Sequence, residues 1–153
     1  MNRGICTTKT GMISYHPLGF NRVPKANLKI VGSVQAGFPS PGEELGSTSL
    51  HLESLLVKNP ISTYFLKVAG TSMQDAGIFD GDIIVVDRSL TAKVHDVVVA
   101  EVDRAFTLKR LSKLTSTGAT LRPENSDFKD INVDASQDFS IWGVVTSVIH
   151  KLR

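Results

Sequence analysis

A single cysteine, Cys6, excludes an internal disulfide and any C-x-x-C zinc site, and suits a reducing compartment. Histidine is equally thin as a source of metal ligands. His16, His51, His95 and His150 stand far apart, with no H-x-x-x-H pair, and read as surface or internally satisfied side chains. No apolar run approaches the roughly 18 residues of a membrane span. The amino terminus, M-N-R-G-I-C-T-T-K-T-G-M, lacks the continuous apolar core of a signal peptide, so a cytoplasmic protein with no membrane association is expected, with Met12 an alternative start. Charge of one sign is also missing. Lys and Arg number 17 against 15 Asp and Glu, a formal +2, and the basic residues are scattered without an aromatic-rich patch. Direct sequence-specific DNA binding is therefore not expected, and no helix-turn-helix pattern precedes the first turn cluster.

What remains is an ordinary globular composition, 41% hydrophobic and 21% charged over 153 residues, enough for one core. Residues 1–27 are polar and mixed, interrupted by Pro17 and Pro24, the pattern of a mobile arm. Leu28 to Gln35 alternates loosely, as a short strand or an extended segment would. Ala36 to Gly42, rich in Gly and Pro, should be exposed and irregular. From Ser47 the spacing of Leu52, Leu55 and Leu56 predicts a helix with a Ser or Thr N-cap, ended at Asn59-Pro60. Strands follow at Thr63–Ala69, Asp82–Asp87, Asp96–Val102, Phe106–Leu111, Ala119–Arg122, Ile131–Val133 and Phe139–Ile149, with Asp103-Arg104 as a hairpin turn. Gly143 within the last strand marks a bulge or a close backbone approach. Trp142 reads as a core or dimer-interface aromatic, and Asp75, Asp80, Asp82 and Asp87 as solvated carboxylates at turns and strand ends. The pattern predicts a mainly β domain of short, mostly antiparallel strands with one short helix and a mobile N-terminal arm.

Chemistry is concentrated at two points. Ser72 sits where one strand gives way to a turn, between Gly70 and the Asp80-Gly81-Asp82 turn signal, a place suited to presenting a hydroxyl. Lys109 lies in F-T-L-K-R-L, where alternation puts Thr107, Lys109 and Leu111 on one face and Phe106, Leu108 and Arg110 on the other. Whichever face is inward, the core contains or borders a cation. Burial disfavours the charged amine, so an inward lysine becomes a neutral base near physiological pH. A neutral amine beside a serine hydroxyl can take its proton, a Ser-Lys arrangement that dispenses with histidine. Taken singly, Ser72 reads as a turn residue and Lys109 as a strand lysine with its head in water.

Six stretches carry a resemblance that joins them. They are A-G-F-P-S-P (Ala36–Pro41), L-L-V-K-N-P-I-S-T-Y-F-L-K-V-A-G-T-S-M (Leu55–Met73), D-A-G-I-F-D-G-D-I-I-V-V-D (Asp75–Asp87), F-T-L-K-R-L (Phe106–Leu111), P-E-N-S-D-F (Pro123–Phe128) and W-G-V-V (Trp142–Val145). Over about residues 36–150 the chain resembles the self-cleaving LexA/UmuD serine peptidases, and the spacing of Gly37, Ser72 and Lys109 fits that layout. The resemblance implies a LexA/signal-peptidase-like β fold in two parts. Residues 1–36 would be a flexible arm removed by self-cleavage, and residues 37–153 the peptidase domain. It implies Ser72 as nucleophile, Lys109 as general base, then as acid to the leaving amine, and Ala36-Gly37 as the bond cut. The Ser72 N–H and one neighbouring amide would hold the oxyanion. Ala-Gly is the form seen in LexA-type members, whereas UmuD-type members usually carry Cys-Gly. No cofactor or metal is implied. The implied partners are a second copy in a homodimer, a RecA filament on single-stranded DNA that stimulates cleavage, and a UmuC-like Y-family polymerase subunit assisted in translesion synthesis. A rival reading is a phage- or plasmid-borne regulatory module of the LexA type that acts by dimerisation without cutting. A signal peptidase is disfavoured by the want of a membrane anchor.

Overall fold

The computed structural model describes residues 28–30, 48–134 and 136–152, and these fall into two units. In the smaller, β1 (Leu28–Ile30) pairs antiparallel with β2 (Thr48–Leu50), followed by one helical turn and a half, α1 (Leu52–Leu56). The helix is shorter than its leucine spacing predicts. Thr48 and Ser49 are strand residues, His51 holds the N-cap position with no side-chain cap, and none of the helical residues is buried. The predicted Ser or Thr cap is therefore absent. Three leucines over five residues satisfy a helical period without requiring a longer helix.

The larger unit is a seven-stranded antiparallel sheet. Its strands are β3 (Thr63–Lys67), β4 (Ile83–Asp87), β5 (Val97–Val102), β6 (Ala105–Thr115), β7 (Gly118–Arg122), β8 (Ile131–Asp134) and β9 (Phe139–Ile149). Their order in space is β3-β4-β9-β5-β6-β7-β8, so the last strand in sequence lies between β4 and β5. The mainly β, antiparallel architecture expected from the sequence is the one observed. The β-branched runs of β4 and β5 explain where the sheet is thickest: both faces are covered there, and Ile84, Val85, Val86, Val98 and Val99 are fully buried.

Because side chains alternate across a strand, neighbours Val98 and Val99 enter different clusters. Val99 joins Leu66, Ile84, Val86 and Leu108, together with Val68, Met73 and Ile78 from the β3–β4 connection. Val98 joins Ala100, Leu111, Ala119, Leu121, Val133 and Val144. Trp142 packs at the margin of the first cluster, its ring 5.2 Å from Tyr64 and 5.9 Å from Phe106, with the Arg88 guanidinium 4.8 Å above it.

The β5–β6 hairpin turns on Asp103 (φ 48°) and Arg104 (φ 66°), both left-handed as a two-residue turn of this hand demands. Gly143 meets both expectations at once. The β5–β9 register shifts between Val99 and Ala100, leaving Trp142 unpaired. A Cβ on Gly143 would stand 2.6 Å from Val86 Cγ1.

Two of the four turn aspartates depart from the solvated reading. Asp87, 3% exposed, accepts hydrogen bonds from Asn59 Nδ2, Ser62 Oγ, Ser89 Oγ and the Ser89 N–H. Burial alone would raise its pKa, but these donors together outweigh it and hold the carboxyl down at about 2. Asp82, 4% exposed, accepts the Phe79 N–H and lies 2.5 Å from His150 Nδ1. Partners distant in sequence make this burial affordable, and strand-end position alone does not reveal them.

Candidate active site

Lys109 is held by β6 between two buried leucine-bearing positions, Leu108 and Leu111, and is itself 7% exposed. Its side chain follows the sheet interior, and its Nζ lies 2.7 Å from Ser72 Oγ and 2.8 Å from the Leu108 carbonyl oxygen, to which it donates. Among the described residues no carboxylate forms an ion pair with this amine. Desolvation therefore acts unopposed, and it pushes the Lys109 pKa down from 10.5 to about 8. In the neutral amine, one N–H engages the Leu108 carbonyl and the lone pair is left facing the Ser72 hydroxyl.

The other half of the pair sits in the connection between β3 and β4. Gly70, at φ 99°, takes a left-handed conformation that a side chain would resist, and turns the chain out of β3. A 3₁₀ turn at Gln74–Ala76 follows, closed by Gly77 at φ 72°. Met73 and Ile78, 2% and 3% exposed, root this loop in the core, while the Asp80 carboxylate accepts the Gly70 N–H at 2.7 Å. Ser72 is thus carried on a bend fixed from both ends.

A third support comes from the segment after β7. The Glu124 N–H donates to the Ser72 carbonyl at 2.8 Å, and the Asp75 N–H donates to the Glu124 carbonyl at 2.8 Å. Asn125 Nδ2 donates to the Thr71 carbonyl at 2.9 Å. The Glu124 side chain pairs with Arg110, the residue after Lys109, and Arg110 Nη1 also donates to the His95 carbonyl at 2.7 Å. The sequence alone marks none of Arg110, Glu124 and Asn125 as a site residue, although P-E-N-S-D-F and F-T-L-K-R-L are both motifs of the resemblance. The signal was the motif; its role required knowing that the loop folds against the serine bend.

The structure brings Ser72 and Lys109 together from separate elements. Ala36 and Gly37, the predicted cleavage site, lie outside the described residues. Residues 29–146 match the Peptidase S24-like family. That match spans most of the chain and includes both members of the pair. The chain belongs to the peptidase S24-like family. Within that family it is a UmuD-like protein of the LexA/UmuD group, and its relatives bear this out. It is 46% identical over 114 residues to Protein MucA of Salmonella typhimurium, covering 74% of this chain and 77% of MucA. It is 41% identical over 119 residues to Protein ImpA of Shigella flexneri, covering 78% and 80%. To the LexA repressor of Stenotrophomonas maltophilia it is 40% identical over 126 residues, which span 82% of this chain and 59% of the repressor. S24 membership places the chain among autoproteolytic serine peptidases. No helix among the described residues is long and apolar enough to cross a membrane.

Proposed function

We propose that this protein cuts its own chain at Ala36-Gly37, with Ser72 as nucleophile and Lys109 as general base. The observation that carries the reading is the 2.7 Å approach of Lys109 Nζ to Ser72 Oγ, made by a buried amine with a pKa lowered to about 8. Neutral Lys109 takes the hydroxyl proton as Oγ attacks the Ala36 carbonyl carbon. The resulting ammonium returns that proton to the Gly37 amine as the peptide bond breaks, leaving an ester between Ser72 and Ala36. Water, deprotonated by the same amine, then hydrolyses the ester and frees residues 1–36. The small Ala and Gly suit a crowded approach to the bend.

Likeness to MucA, ImpA and LexA supports a place in the SOS response, as an accessory protein of damage-induced mutagenesis. In this reading a RecA filament on single-stranded DNA supplies no catalytic group; it favours the conformer in which the arm reaches Ser72. Residues 37–153 then act as a homodimer that assists a UmuC-like Y-family polymerase subunit. The test is amino-terminal mapping of the full chain incubated at alkaline pH or with activated RecA. A new terminus at Gly37 is expected, absent from Ser72→Ala; cleavage at another bond, or by Ser72→Ala, overturns the assignment.

A further inference from the structure

We infer that Asn125 is a positioning residue that aims the Ser72 N–H at the oxyanion formed during cleavage. The inference rests on the self-cleavage reading above and concerns a side chain that touches neither nucleophile nor base. It begins with peptide geometry. The described chain contains no cis peptide bonds, and in a trans peptide the C=O and the N–H point in opposite directions. The Thr71 carbonyl and the Ser72 N–H belong to one such unit, so whatever grips the carbonyl also aims the N–H.

Asn125 provides that grip. Its Nδ2 donates to the Thr71 carbonyl at 2.9 Å, shorter than the 3.3 Å contact from the Gln74 N–H to the same oxygen. The next peptide is gripped as well: the Glu124 N–H holds the Ser72 carbonyl and so aims the Met73 N–H. Both N–H groups are thereby turned away from the 124–125 segment. Among the described residues nothing accepts from the Ser72 N–H, which leaves it free for an incoming oxygen.

The Asn125 amide is itself held in one orientation. Its Oδ1 accepts the Asp127 N–H at 2.9 Å, so the oxygen end is committed and the nitrogen end must face Thr71. The Arg110–Glu124 pair ties the same loop to β6, the strand that carries Lys109. Donor, nucleophile and base therefore share one frame.

Asn125→Asp separates the two jobs of this side chain. An aspartate keeps the size and the acceptor for the Asp127 N–H but has no hydrogen to give the Thr71 carbonyl. Its added charge favours ammonium on Lys109, which moves the pH midpoint of cleavage upward, and also opposes the developing oxyanion, so its plateau reads aim and charge together. A plateau lowered in Asn125→Ala as well therefore reports lost aim and not charge. Asn125→Ala removes the donor with no new charge.

The experiment follows first-order self-cleavage of the full chain against pH for wild type and both variants. It is paired with NMR of the uncleaved Ser72→Ala background, in which the Thr71 carbonyl carbon and the backbone amide nitrogen of position 72 report the contact without any turnover. The expected result is a plateau lowered about ten- to a hundredfold in both variants, with both resonances displaced. Unmoved resonances, or plateaus within about twofold of wild type in chains that melt like wild type, overturn the inference. A wild-type chain as inert as its variants at Ala36-Gly37 overturns the self-cleavage reading itself, and this inference with it.

Discussion

On the proposed mechanism the protonation state of Lys109 sets the rate of self-cleavage, and the magnitude follows from its burial. With a pKa of about 8, about one-tenth of the molecules carry the neutral amine at pH 7, against about 3 in 10,000 for a lysine at its ordinary value. Burial thus enriches the competent form about 300-fold. Below pH 7 each unit of pH should change the first-order rate about tenfold, and the whole step from pH 7 to pH 9 should raise it about tenfold before a plateau. The assay is intact-mass quantification of the fragment that begins at Gly37, over time, in the full chain, from pH 6 to pH 11. A rate still climbing tenfold per unit between pH 9 and pH 10.5 would refute the reasoning, since it would mean an amine with an ordinary pKa or direct attack by hydroxide. Lys109→Arg, charged throughout this range, should be flat at the background rate.

Further outcomes follow from the burial of individual side chains. The folded-state pKa of Lys109 lies below its unfolded value, so the cost of burying the cation, about 3 kcal/mol, is fully present below pH 8 and disappears as pH rises through 10.5. Lys109→Met should therefore unfold at higher urea at pH 7 than wild type, while the difference narrows at pH 10. Asp87 has the opposite sign: its pKa is depressed from 3.8 to about 2, so its contribution of about 2 kcal/mol is present above pH 4 and lost as pH falls through 2. Asp87→Asn should cost about that amount at pH 7 and flatten the urea midpoint between pH 4 and pH 2. Gly143→Ala forces a methyl against Val86 Cγ1, with the Asp87 carbonyl and Arg88 Cγ each 3.3 Å away. It should cost about 1–3 kcal/mol, measured as a lower midpoint with an unchanged slope.

The sheet could be read from the chain because its strands announce themselves locally. Ile83 to Val86 and Val97 to Val99 are β-branched runs, Asp103-Arg104 has the length of a hairpin turn, and Gly143 breaks an otherwise apolar strand. Alternation along F-T-L-K-R-L showed that a cation must border the core but not which one. Lys109 proved to be buried beside the Ser72 bend, and Arg110 to reach the Glu124 loop. What stayed hidden depended on partners far away in sequence. Asp87 is buried because Asn59, Ser62 and Ser89 converge on it, and Asp82 because His150 returns to meet it. The support of the serine bend by Glu124 and Asn125 is of the same kind, since a loop's motif says nothing of the surface on which it lands.

The place of β9 in the sheet has a consequence for timing during synthesis. Ser72 and Lys109 are complete on the ribosome well before Phe139–Ile149 is made, yet this final strand is the one that joins the β3–β4 hairpin to β5 and β6. Until it is inserted, the serine and the lysine belong to two separate pieces of sheet. On the proposed mechanism, self-cleavage is therefore expected only once Phe139–Ile149 has been made and inserted.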